Sequence, residues 1–138
     1  MSWRRQVIFK FKFILNFYFN YFFFNLDTFK HRQPNKYGEN LYMSWSSNKN
    51  APLPDGSVPV QSWYDEIKDY RKDYYGQEPD MGTFAKWGHF TQVVWKGSGK
   101  VGVGCAKNPS SNKLYIVGNY SPPGNFQGRF AANVPKPL

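Results

Sequence analysis

Histidine and glutamate are the residues of this sequence best suited to chemistry. The chain contains two histidines, His31 and His89, so any chemistry that needs an imidazole must use one or both. With carboxylates at Glu39, Glu66 and Glu78, a site of two imidazoles and two carboxylates could form. Such nitrogen and oxygen ligands suit zinc, copper or manganese better than calcium. The histidines are not at helical i, i+4 spacing, so the fold would have to assemble this site, and scattered polar residues are the simpler interpretation of composition alone.

Nucleophilic catalysis has weaker support. Cys105 is the only cysteine and lies within an apolar strand pattern, which predicts an inert, buried thiol. No serine lies in a Gly-x-Ser-x-Gly turn, the typical setting of a hydrolase nucleophile. The single cysteine also excludes an intramolecular disulfide and a cysteine-rich structural zinc site.

Length and composition limit the class of protein. The chain has 138 residues, enough for one domain of ordinary size. Its aromatic content of 20% and mean hydropathy of -0.65 exclude wholesale disorder and a polytopic membrane protein. The formal net charge of +9 favours anionic partners. Beyond residue 30 the net charge is only +5, and the basic residues are scattered from Arg32 to Lys136 without a dense cluster. We therefore expect no nucleic-acid binding.

The amino-terminal residues 1–29 differ from the rest of the chain. They contain 9 of the 13 phenylalanines, and residues 8–25 consist almost entirely of Phe, Ile, Lys, Asn and Tyr. Three interpretations are open: a signal sequence or membrane anchor behind Arg4 and Arg5, an exposed strand with Phe and Lys alternating from Phe9 to Phe13, or a gene-model artefact from translated AT-rich DNA. We therefore divide the chain into a Phe-rich segment, 1–29, and a domain, 30–138.

The domain contains recognisable elements. Ser57 is predicted to cap a helix that has Pro59 in its first turn and a core-facing stripe of aromatic and aliphatic residues, Trp63, Ile67, Tyr70 and Tyr74. A brief helix is predicted from His89 to Trp95. Residues 101–106 and 113–120 are predicted to form an antiparallel hairpin around the turn-forming residues 108–112. The proline-rich tail is predicted to be extended and irregular.

Four stretches resemble the CAP superfamily, which comprises cysteine-rich secretory, antigen 5 and pathogenesis-related proteins and is also called the SCP domain. Residues 88–98, Gly-His-Phe-Thr-Gln-Val-Val-Trp-Lys-Gly-Ser, are similar to its first signature. Residues 38–42, 62–67 and 115–126 agree with further family stretches in the same order, the last of them with the second signature. The resemblance covers about residues 30–136, and the ending is similar to that of the compact Golgi-associated pathogenesis-related type.

The resemblance implies a fold and a site. The implied fold class is α+β, an α-β-α sandwich with a small antiparallel sheet between helical layers and a central cleft. Two histidines and two glutamates line that cleft in the family, and some members bind a divalent metal there. Carried over by position, the implied metal ligands are His31, Glu39, Glu66 and His89, with zinc as the expected metal and a metal-free hydrogen-bonded cluster as the alternative. Zinc binding should weaken below about pH 6 as the imidazoles are protonated. The side chains expected to line the ligand-binding cleft are Asn40, Trp63, Gln92 and Trp95.

The sequence departs from the family pattern in two ways. Gly118 and Tyr37 stand where many secreted members have cysteine, so the chain is more similar to the disulfide-poor members. The Phe-rich segment also does not resemble the helices that precede His31 in the family. We therefore expect an incomplete or replaced amino-terminal helical layer and marginal stability.

The function implied by the resemblance is that of a non-enzymatic binding module for sterol, fatty-acid or anionic-lipid ligands. Its expected partners are lipids or an anionic membrane surface, with protein receptors as a further class. One alternative is a hydrolase in which His89 acts as general base, and another is a fragment without function. Extracellular localisation is the family expectation, whereas the unpaired cysteine leaves the cytoplasmic face of Golgi or other membranes as the alternative.

Overall fold

The protein forms a three-stranded antiparallel sheet that packs against short helices. The structure is a computed structural model that describes residues 30–31, 33–52, 54–108 and 110–137. Its strands are β1 (Gly38–Trp45), β2 (Lys100–Asn108) and β3 (Lys113–Ser121), arranged in the order β1-β3-β2. The central strand β3 pairs Asn119 with Glu39 on one side and Ile116 with Cys105 on the other. The predicted hairpin of β2 and β3 is confirmed, whereas the sequence analysis did not predict β1.

The helical elements are short. They are α1 (Ser57–Tyr64), α2 (Gly88–Val94) and α3 (Phe130–Asn133), with 3₁₀ turns at Asp65–Asp69, Lys72–Tyr74 and Met81–Lys86. The brief helix predicted at His89 is confirmed. The sequence analysis did not predict α3, which is only one turn long and interrupts the otherwise irregular tail.

The predicted cap of α1 is wrong by one position. Ser57 is the first helical residue and Gly56 occupies the cap position. The Ser57 amide donates to the Asp55 carboxylate at 2.8 Å, so an acidic side chain two residues earlier takes over a role expected of serine. The predicted stripe is buried or partly buried as expected, but it is not one continuous helix. Beyond Tyr64 the chain tightens into 3₁₀ turns, which keep the rings inward without a regular α-helical face.

Two adjoining apolar clusters form the core. One is built mostly of rings and includes Tyr70, Trp87 and Phe130, and the last two are fully buried. The Trp87 ring meets Phe130 edge to face, with centroids 5.5 Å apart, and such pairs add about 0.5–1.5 kcal/mol beyond the area that they bury. The second cluster joins Trp63 to side chains of β3, including Ile116, and thus fixes α1 against the sheet.

The prediction of a buried Cys105 is wrong, because its thiol is exposed. The strand β2 lies at an edge of the sheet, and its side chains alternate between exposed and half-buried from Val103 onward. Val103, on the same face as Cys105, is 59% exposed. The apolar pattern therefore reflects an edge strand whose side chains are exposed at these two positions.

Among the described residues, no helix is long and apolar enough to cross a membrane. The predictions for the Phe-rich segment and for an incomplete or replaced amino-terminal helical layer lie outside the described residues.

Candidate functional site

Glu66 makes three hydrogen-bond contacts at the start of α2, two with His89 and one with Phe90. Its Oε1 is 2.8 Å from the imidazole Nδ1 of His89, and its Oε2 accepts from the main-chain N–H of His89 at 2.9 Å and of Phe90 at 3.4 Å. The first amides of a helix have no partner within the helix, and α2 has no side-chain cap of its own. Glu66, from the 3₁₀ turn after α1, therefore caps α2 and orients the imidazole with the same carboxylate.

His31 forms a second imidazole–carboxylate pair. Its Nδ1 lies 2.9 Å from Oε1 of Glu39, at the start of β1. The Glu39 side chain is 7% exposed and the His31 ring 55% exposed. The hydrogen bond to Glu39 raises the pKa of His31 above its usual 6.5, partly offset by burial, which lowers it, and the charge of Glu39 raises it further.

Neighbouring side chains connect the two pairs. Asn40, the residue after Glu39, is buried and donates its side-chain amide to the main-chain carbonyl of His89 at 3.0 Å. The indole of Trp63 donates to the main-chain carbonyl of Leu41 at 2.9 Å, and its ring lies 6.5 Å from that of His89. The strand β1 is thus tied to both α1 and α2 next to the pairs.

The structure therefore pairs each predicted histidine ligand with one predicted glutamate ligand. Within the described part of the chain, no three His, Cys, Asp or Glu side chains form a group that could hold a metal ion. The donor chemistry nevertheless fits zinc. When a carboxylate holds Nδ1 of an imidazole, the ring is fixed and its Nε2 is the nitrogen that can bind a metal. Both histidines show this arrangement.

Glu78, the third glutamate considered from the sequence, has a different role. Its carboxylate accepts from the main-chain amides of Gly128 at 2.8 Å, Phe130 at 2.9 Å and Ala131 at 3.3 Å. It caps α3 from fifty residues away and fixes the tail to the domain.

The four side chains predicted to line a ligand cleft are buried. Asn40, Trp63, Gln92 and Trp95 are between 1% and 5% exposed. Gln92 accepts from the main-chain amide of Gly124 at 2.9 Å and donates to the Ser98 hydroxyl at 3.1 Å. Asn40, Trp63 and Gln92 bond through their side chains within the protein, and Trp95 packs against Phe130. The contact of all four residues with a ligand remains a prediction.

Asn125 is a supporting residue that the sequence analysis missed. Its side-chain amide donates to the Gly88 carbonyl at 2.9 Å, and its Oδ1 accepts from the Thr91 hydroxyl at 2.7 Å. It has a φ of 60°, in the left-handed region that asparagine tolerates better than most residues. The sequence feature that could have identified this residue is its position directly after Pro-Pro-Gly. Asn125 therefore holds the first turn of α2 through bonds separate from those of Glu66.

An open cleft of about 1100 Å³ reaches the first pair. Glu66 lies on its wall, so the cleft gives solvent and ligands a route to the carboxylate that holds His89. The other lining side chains are mostly polar or charged: Ser57, Val58, Gln61, Ser62, Asp65, Lys68, Asp69, Ala85 and Lys86.

Comparisons with known proteins agree on one family. The model of the family described as "CAP: Cysteine-rich secretory protein family" matches residues 20–120. Cysteine-rich secretory protein 1 of Mus musculus is 41% identical over 95 residues, which cover 67% of this chain and 34% of that protein. Venom allergen 3 of Solenopsis invicta is 37% identical over 95 residues, which cover 66% of this chain and 40% of that protein.

Solved structures show the same fold. The structure of BmVAL-1 superposes with a TM-score of 0.64 at 31% identity and covers 72% of this chain and 52% of that one. The crystal structure of NaASP2 with Zn²⁺ superposes with a TM-score of 0.52 at 31% identity and covers 73% of this chain and 53% of that one. These likenesses confirm the predicted α+β sandwich. The chain spans about two fifths or less of the length of the two curated relatives described above.

Proposed function

The chain belongs to the CAP family of cysteine-rich secretory proteins, and on that basis we propose that it is a non-enzymatic binding module whose two histidine–glutamate pairs hold a zinc ion. The imidazoles of His31 and His89 would be the nitrogen ligands. Glu39 and Glu66 would orient the rings and supply negative charge next to the metal. Bound zinc would contribute a positive centre in the cleft that anionic or carbonyl groups of a ligand could approach.

The observation that carries this proposal is that Glu66 contacts His89 twice, at the imidazole Nδ1 and at the main-chain amide. A carboxylate that only capped α2 would need the main-chain amides alone, yet Glu66 also takes Nδ1 of the imidazole. That contact leaves Nε2 as the nitrogen that can bind a metal. The crystal structure of NaASP2 with Zn²⁺ adds support from a protein 31% identical to this chain.

We propose lipids as the ligand class, namely sterols, fatty acids or anionic lipid head groups. The net charge of +9 favours anionic surfaces. We further propose an extracellular location, in line with relatives that are named as secretory proteins, with the cytoplasmic face of a membrane as the alternative.

Isothermal titration calorimetry with zinc tests the metal proposal on the full chain. We expect one zinc ion per chain at pH 7.5, with binding lost in His89→Ala and weakened as the pH falls below about 6. Asp69→Asn is the matched control because it removes a carboxylate from the same cleft without touching either pair. Zinc uptake that is identical in the wild type and His89→Ala would refute the site.

A hydrolase is the second candidate, and the same pair favours it. A histidine whose Nδ1 is held by a carboxylate is also the arrangement that orients a general base. Turnover of peptides or esters that is lost in His89→Ala but survives a chelator would support the hydrolase. No turnover in the wild type would exclude it and leave the binding module.

A further inference from the structure

One face of the sheet is buried although both apolar clusters of the described residues lie on the other, and we propose that the Phe-rich segment, residues 1–29, covers it. We call it the far face, because it is the side of the sheet opposite to Trp63. It is defined by Leu41 of β1 and by Tyr115 and Val117 of β3. The inference uses neither zinc nor lipid and does not depend on the function proposed above.

The strand register separates the side chains of the two faces. A methyl group added to Gly118 would lie 3.2 Å from the Trp63 ring, so Gly118 faces Trp63. Side chains alternate along a strand, and those of Val117 and Tyr115 therefore point to the other side. Leu41 lies directly opposite Val117 in β1, and opposed residues of antiparallel strands share a face. All three side chains thus belong to the far face.

The far face is buried in its centre. Leu41, Tyr115 and Val117 are 6%, 4% and 3% exposed. On the β2 side, Val117 lies next to Gly104 and Tyr115 next to Ala106. Such small neighbours cannot bury a valine or a tyrosine ring from the side, so the cover must lie above the sheet. The central strand β3 is buried on both faces, as a strand between two layers is.

The elements of the described residues account for the layer on the Trp63 side. One apolar cluster joins Trp63 to Ile116, and neither cluster includes a residue of the far face. The loop after β1 is bonded to Lys107, which pairs with Leu114 of the Trp63 cluster. The tail is bonded to α2 through Asn125. A second layer therefore has to come from elsewhere in the chain or from another molecule.

The Phe-rich segment ends next to the far face. Residue 31 follows it by two positions, and the His31 imidazole lies 2.9 Å from the carboxylate of Glu39. Glu39 is two residues before Leu41 in β1, a distance of about 7 Å along a strand. The hydrogen bond to Glu39 thus fixes the end of the segment beside the surface that needs a cover.

The composition and length of the segment suit this role. It contains 9 of the 13 phenylalanines, which can supply apolar contacts to the far face. Its 29 residues reach about 44 Å even at the rise of a helix, whereas a nine-residue strand is about 30 Å long. The match to the family model starts at residue 20, inside the segment. A tethered segment is also present at millimolar effective concentration, which favours it over a second copy or a free ligand.

Photochemical cross-linking in the full chain tests the proposal. p-Benzoylphenylalanine is placed at Met43, which pairs with Tyr115 and so lies on the far face. The matched control carries it at Val103, which pairs with Gly118 on the opposite face. Met43 is 42% and Val103 59% exposed, so the fold should tolerate both changes. We expect cross-links to peptides from residues 1–29 from the Met43 position and none from the Val103 position.

Limited proteolysis gives a second readout without any substitution. Chymotrypsin cleaves after aromatic residues, and residues 1–29 contain twelve of them. A segment packed on the far face is cleaved only when it opens. We therefore expect cleavage within it to be at least about 100-fold slower in the native protein than in the protein unfolded by urea.

Other outcomes would overturn the proposal. In a mixture of isotope-labelled and unlabelled chains, Met43 cross-links found only between different chains would assign the far face to a second copy. Equal linking of residues 1–29 to the Met43 and Val103 positions, or to neither, would show that the segment does not bind the far face. Rapid removal of residues 1–29 by chymotrypsin, with the circular dichroism of the remaining chain unchanged, would show that the sheet does not need this cover.

Discussion

The side-chain amide of Asn40 donates to the main-chain carbonyl of His89 at 3.0 Å and thereby joins β1 to α2. Asn40 is 1% exposed, so this bond lies in the interior, where it competes little with water. Glu39 precedes Asn40 in the chain and holds His31. Two consecutive residues of β1 therefore contact both histidines. The Glu39 carboxylate holds the His31 ring, and the Asn40 side chain holds the His89 main-chain carbonyl.

Replacement of Glu66 by glutamine should weaken both zinc binding and the fold. The glutamine oxygen can still accept from the His89 main-chain amide, but its NH2 can only donate to Nδ1, which leaves the ring proton on Nε2, the nitrogen that would bind the metal. We expect zinc affinity to fall about 10- to 100-fold and the free energy of unfolding to fall by about 1–3 kcal/mol. Calorimetry and urea denaturation measure the two effects. Asp69→Asn, with the same change of charge, should change neither; an equal effect of both variants would contradict the role of Glu66.

The His31–Glu39 pair should make the stability of the metal-free protein depend on pH. Because the pKa of His31 is raised above the 6.5 of the unfolded chain, the pair stabilises the fold fully below pH 6.5 and loses its contribution as the pH rises through the folded pKa. Proton NMR should give a pKa above 6.5 for His31 and a lower one in Glu39→Gln. The difference in unfolding free energy between these two proteins should shrink as the pH rises from 6 to 9. A His31 pKa below 6.5 in the wild type would be inconsistent with the pair.

Replacement of Gly118 by alanine should destabilise the domain. The added methyl group would lie 3.2 Å from two carbons of the Trp63 ring. This ring is 3% exposed and its N–H is bonded to Leu41, so it has little freedom to move away. We expect a loss of about 1–3 kcal/mol in urea denaturation. Gly56→Ala, where an added methyl group meets nothing within 4 Å, should stay within about 0.5 kcal/mol of the wild type. Equal stabilities of the two variants would be evidence against close packing of Trp63 on β3.

The Cys105 thiol should react in the folded protein. It is exposed on the edge strand β2, so a disulfide reagent such as DTNB should label one thiol per chain without denaturant. The rate should lie within about tenfold of that in urea. Cys105→Ser should abolish labelling and change the unfolding free energy by no more than about 0.5 kcal/mol. Protection of the native thiol by several orders of magnitude would mean that β2 is covered.

Local chemistry was enough to predict the hairpin and the helix that carries His89. Turn-forming residues between two segments of high β-propensity favour a hairpin, and the structure contains the predicted hairpin of β2 and β3. The sequence reading missed β1, because Gly38–Trp45 mixes polar and apolar residues and becomes a strand through its pairing with β3. The exposure of Cys105 could not be predicted from a local pattern either, since the order of strands in a sheet decides which strand lies at the edge.

The candidate site likewise combines residues that could be predicted from the sequence with contacts that depend on the fold. His31, Glu39, Glu66 and His89 were selected through the family resemblance, and the structure pairs each histidine with one of the glutamates. The partners could not be assigned from spacing, because residues 23 positions apart meet only after α1 has packed on α2. Asn125 was missed for a similar reason, since its bonds to Gly88 and Thr91 span more than thirty residues.

X-ray absorption spectroscopy at the zinc edge would test the central claim most directly. The zinc-loaded 138-residue chain should show two imidazole nitrogens per metal ion at about 2.0–2.1 Å, with one of them lost in His89→Ala. A first shell without imidazole scattering, or one that is unchanged in His89→Ala, would contradict the proposal that the two histidine–glutamate pairs form a zinc site.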